Sequence, residues 1–134
     1  MKPLKPWLAA TLLAAAFSAN AGDNPAYIVS PANGATVRSP VTVVFGLRAP
    51  WGVAPAGTQV EGTGHHHLLV DAPLPALDKP IPKDDQHLHF GKGQTETVLK
   101  LAPGKHTLQL LLGDFAHVPH TPPVMSEVVT ITVE

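Results

Sequence analysis

The chain has 134 residues, with Lys+Arg 9, Asp+Glu 10, a formal net charge of -1 and 44% hydrophobic content. That describes one domain at most, and neither a disordered polyelectrolyte nor a basic nucleic-acid binder. With no cysteine it has no disulfide, no thiolate metal site, no cysteine nucleophile and no lipid anchor on cysteine.

The chain opens with Lys2 and Lys5, then an apolar run from Trp7 to Phe17, then an Ala-x-Ala site in Ser18-Ala19-Asn20-Ala21. This is the tripartite pattern of a secretory signal peptide, with cleavage expected after Ala21. The run is too short for a bilayer span, which takes about 20 apolar residues. No later stretch is long enough either. Residues 22–134 are therefore expected to form one soluble domain in a bacterial periplasm, with no membrane span and no nucleic-acid partner.

Beyond Ala21, proline or glycine interrupts nearly every window long enough for a helix, and the segments between are short and β-branched. Seven strands are expected in chain order. Ala26 to Val29 is the first, ended by the turn cluster Ser30-Pro31-Ala32-Asn33-Gly34. Val41 to Arg48 follows, with Val41, Val43, Phe45 and Leu47 on one face. His65 to Asp71 sets His66, Leu68 and Val70 against His65, His67, Leu69 and Asp71. Gln86 to Phe90, Thr95 to Leu101, Thr107 to Leu112 and Val124 to Val133 complete the set. Seven short strands in about a hundred residues predict an all-β antiparallel sandwich, immunoglobulin-like in architecture. Ala49 to Gly64 and Ala72 to Pro82 read as long irregular loops.

All 8 histidines lie in this second part of the chain, and they are arranged. Residues i and i+2 of a strand project from one face. His65 and His67 therefore share a face, as do His87 and His89. In both segments the opposite face is the more apolar, so both pairs are expected to point away from the core. If the two segments are neighbours, four imidazoles converge into a nitrogen cage for a divalent metal. His117 and His120 flank Val118-Pro119 in a later loop and are candidates for a further ligand or a lid. Asp71 and Asp114 are candidate oxygen donors, or acceptors for an imidazole N–H. His66 faces the apolar side and is expected to be a hydrogen-bonded core histidine. His106 is expected to be structural, in a turn. A lone His-x-His on an exposed strand is ordinarily polar surface; the metal reading rests on two such pairs plus the two-histidine loop.

No catalytic or phosphate-binding motif competes with this. Gly91-Lys92-Gly93-Gln94-Thr95 lacks the strand–loop–helix setting of a phosphate loop. Ser39 and Ser126 lack a nucleophile-elbow context. Nothing fixes the separation of Glu96 and Asp71 as an acid–base pair.

The blocks Gly64-His65-His66-His67-Leu68-Leu69-Val70-Asp71 and His87-Leu88-His89-Phe90-Gly91-Lys92-Gly93-Gln94-Thr95-Glu96 resemble the bacterial family named domain of unknown function 4399. Leu101 to Leu110 and Gly113 to Pro123 extend the likeness, which covers most of Gly46 to Val133. The resemblance implies a short exported protein with one such domain and supplies no mechanism. More loosely, His87-Leu88-His89-Phe90 is similar to the His-x-His strand of copper–zinc superoxide dismutases. Ser30 to Gly34 looks like the start of periplasmic copper-carrier sandwiches.

The leading expectation is a periplasmic protein that binds Cu(II) or Zn(II) for storage, buffering or delivery, with another periplasmic protein as the candidate partner. A small metalloenzyme of dismutase type and a partner- or cell-wall-binding sandwich are the alternatives. Only Met125 follows Ala21 as a thioether, so a dedicated Cu(I) site is not expected.

Overall fold

Val41, Val43 and Phe45 are buried while Thr42 is exposed, the period-2 pattern of a strand with one covered face. The computed structural model describes Lys2, Pro3 and residues 24–134. The expected export signal falls on residues 1–21, which apart from Lys2 and Pro3 lie outside the described residues. Among the described residues no helix is long and apolar enough to cross a membrane.

The described chain forms β1 (Ala26–Ser30), β2 (Thr36–Val37), β3 (Val41–Leu47), β4 (Gly52–Val53), β5 (Thr63–Val70), β6 (His87–His89), β7 (Glu96–Leu99), β8 (Gly104–Gly113) and β9 (Val129–Val133). One sheet has the order β1-β3-β7; the other runs β2-β9-β8-β5-β4, with β6 also paired to β5. Most pairs are antiparallel; β2–β9 and β4–β5 are parallel. The architecture is all-β and sandwich-like. Val41, Val43, Phe45 and Leu99 of the first sheet pack against Leu68, Val70, Leu108, Leu110, Leu112 and Ile131 of the second. All seven expected strands are present, and two-residue β2 and β4 are additional.

The closing strand is shorter than its apolar pattern suggests. Before β9 the chain still follows β8, with the Leu112 N–H donating to Val124 O and the Ser126 N–H to Leu110 O. There, however, the Leu110 N–H donates to the Ser126 hydroxyl oxygen at 2.8 Å. A side chain replaces a backbone partner, and the ladder is interrupted.

β5 and β8 are buried on both faces. On the face turned away from the main core, Leu69 and Leu111 meet Ile81 from the long loop and Met125 from the segment before β9. His65 and His67 share that face and so point away from the main core as expected, yet they are covered: they are 0% and 1% exposed. Ile81, whose placement no periodicity reveals, and Met125, ahead of the shortened closing strand, roof that face.

Core truncation should be costly. Leu110→Ala is expected to lower stability by about 2–5 kcal/mol in urea unfolding. Val98, 61% exposed on β7, should change it by less than about 0.5 kcal/mol when replaced by Ala.

Candidate metal centre

Register builds the site. His67 on β5 is the direct cross-strand partner of His89 on β6, and residues so paired have side chains in contact. His65 lies two residues along the same face of β5. The ring centroids are 4.8 Å apart for His65–His67, 5.0 Å for His65–His89 and 5.1 Å for His67–His89.

A fourth ring comes from the loop after β8. Asp114 Oδ1 accepts the N–H groups of Ala116 and Val118, and the His117 N–H donates to Asp114 O. That turn holds His117 at φ 68°, a left-handed conformation uncommon for a residue with a side chain. It sets the His117 ring 4.8 Å from His89, 5.0 Å from His65 and 6.0 Å from His67.

His65, His67 and His89 each place one ring nitrogen within 4.8 Å of the others. The Nε2 atoms of His89 and His65 are 3.2 Å apart. A tetrahedral centre with bonds of about 2.0–2.1 Å to imidazole sets its ligand nitrogens about 3.3 Å from one another. One pair already has that separation, and the widest would need to close by no more than about 1.5 Å to match it.

Two glycines make room for the rings. A Cβ on Gly113 would stand 2.7 Å from His67 Cε1 and 3.1 Å from its Nδ1. A Cβ on Gly91 would collide with the His89 ring.

The electrostatics favour neutral rings. Burial, then the neighbouring rings of His117 and His89, lowers His65 to about 4, against a smaller opposing pull from Asp114. Burial and the surrounding imidazoles lower His67 to about 3. Burial, His117 and Lys83 lower His89 as well. Neutral imidazole is the form that ligates metal. Yet both ring nitrogens of His67 and the Nδ1 of His65 are buried without a hydrogen-bond partner. An unmet polar group of this kind costs about 1–3 kcal/mol.

The other candidate residues lie elsewhere. The Nδ1 of His87 is 2.7 Å from Asp84 Oδ1. His120 sets its Nε2 3.1 Å from Thr63 O and its ring edge-on to Trp51. Asp71 engages His106 Nδ1 at 2.6 Å and accepts the Thr107 N–H. His106, on β8 rather than in a turn, is held at its other nitrogen by Ala102 O, and Asp71 raises its pKa. Asp114 serves backbone amides of the His117 turn. His66 is buried against Phe45, but neither of its ring nitrogens has a partner, a correction to the expected hydrogen-bonded core histidine. The sequence patterns assign Gly91, Gly113 and Ile81 no part in a metal site. The two glycines follow His89 by two residues and precede His117 by four, the only trace of their role.

Fold and site together define an all-β, sandwich-like protein with a trio of converging histidines on the outer face of its larger sheet. The chain belongs to the family described as Domain of unknown function (DUF4399), whose model matches residues 43–134. No curated protein and no solved structure matches it.

Proposed function

We propose that this is an exported periplasmic protein that binds one divalent transition metal, Cu(II) or Zn(II), for storage, buffering or delivery. His65, His67 and His89 are the ligands, with His117 beside them. The observation that carries the reading is His67: a buried neutral imidazole with no partner at either nitrogen, facing the His65–His89 nitrogen pair. A metal ion would meet one of the two His67 nitrogens and take the place of the proton between His65 and His89. Imidazole suits both ions, and Cu(II) leads on intrinsic affinity. Export rests on the amino-terminal pattern ending at Ala21.

Calorimetric titration of the untagged chain with Cu(II) and Zn(II) tests the proposal. One equivalent is expected to bind at pH 7.5, with weaker binding as pH falls and protons compete for the ring nitrogens. No binding would favour the partner- or cell-wall-binding alternative.

Gly113→Ala gives an independent check. The added methyl displaces the His67 ring, and a ligand pushed off its position should weaken binding by about 10–100-fold. A chelator competition assay reads this; an unchanged affinity would remove His67 from the ligand set.

A further inference from the structure

A cavity of about 310 Å3 adjoins the trio, lined by His67, Pro80, Ile81, Lys83, His89 and His117. Two of the three candidate ligands therefore form part of its wall. Against a water's share of about 30 Å3 in the liquid, it has room for a small polyatomic ion.

Charge indicates what fills it. The three imidazoles are neutral, so a divalent ion among them brings a net charge of +2 into a site whose rings are mostly buried. Uncompensated charge in such a place is costly. No carboxylate belongs to the trio or lines the cavity. Asp114, the acidic group that acts on His65, offsets part of that charge, but it stands outside the cavity wall and its Oδ1 already accepts two backbone amides. The charged residue in the cavity wall is the cation Lys83.

Geometry indicates where such a ligand attaches. Three protein nitrogens plus one open position is the arrangement of reactive rather than purely structural zinc sites. The His117 ring is 6.0 Å from that of His67, and His117 is not in the set of mutually close donors. It walls the cavity beside the trio.

We infer that the metal held by His65, His67 and His89 keeps one coordination position open to this cavity, and that a small anion, drawn in by Lys83, occupies it. The inference rests on the metal reading above and adds a ligand class to it: the site binds a metal–anion pair.

The test loads the full chain with one equivalent of Cu(II) and titrates azide, followed by electron paramagnetic resonance and charge-transfer absorption. One azide per copper is expected, with a saturable change in both signals. Lys83→Glu should weaken azide binding by about 3–10-fold, an effect that shrinks at high salt. The same substitution should leave binding of neutral imidazole to the copper unchanged. Copper bound at one per chain with spectra indifferent to azide would show a closed site and overturn this inference alone, leaving the metal reading intact. Equal azide affinity in wild type and Lys83→Glu would overturn the role of Lys83 and its cavity. Failure to bind copper would overturn this inference, and failure to bind zinc as well would overturn the metal reading.

Discussion

Replacing His65, His67 or His89 singly by alanine should each weaken Cu(II) or Zn(II) binding by more than about 100-fold. Loss of a residue that only supports a ligand costs roughly 10–100-fold, and loss of the ligand itself should exceed that. His87→Ala and His106→Ala should stay within about threefold of wild type. Both are engaged by carboxylates, Asp84 and Asp71, away from the trio. The His87/His89 contrast is the discriminating one. The two share a three-residue strand and identical spacing, yet only His89 faces His67 in register. Competition with a chelator of known affinity measures all five variants. A His87→Ala loss as large as that of His89→Ala would contradict the placement of the site.

Acid should destabilise the metal-free protein through the same rings. Burial lowers His66 from 6.5 to about 4, so between those pH values the unfolded chain takes up a proton that the folded one refuses. Stability therefore rises with pH across this window. It is fully present above about pH 6.5 and is lost as pH falls through about 4. At 1.36 kcal/mol per pH unit, His66 alone accounts for about 3 kcal/mol. His65 and His67 act in the same direction, down to about 4 and 3, as one coupled cluster. Together they are large against the roughly 5–15 kcal/mol of a whole domain. His106, raised by Asp71, acts oppositely: its contribution is present below the unfolded value and is lost as pH rises through the raised one. Urea midpoints should fall steeply from pH 7 to pH 4.5. His66→Leu, which removes a buried ring without partners, should flatten the fall. Bound metal should lower the pH at which it begins. A midpoint constant from pH 7 to 4.5 would show that the rings are solvated and the cluster open.

Much of this was legible in the residues. Alternation located β3, β5 and β8, and the i, i+2 rule put His65 with His67 and His87 with His89. What alternation does not report is how many faces of a strand are covered. His65, His67 and Leu69 read as an outer face, but Ile81, from a loop without periodicity, and Met125, from the irregular start of the expected closing strand, roof it. Nor does spacing reveal rivals for a ring: Asp84 holds His87 three residues away, and Thr63 O takes His120 from 57 residues earlier. His117 reaches the trio through a turn closed by Asp114 and a positive φ, chemistry local to the loop. The glycines at 91 and 113 acquire meaning only once rings occupy the space their missing side chains leave.

X-ray absorption at the zinc edge of the singly loaded chain tests the central claim most directly, because it counts ligands. The account predicts at least three imidazole nitrogens at about 2.0–2.1 Å in a four-coordinate shell, reduced by one in His67→Ala. A shell of water oxygens and carboxylates, or one unchanged in that variant, would contradict it.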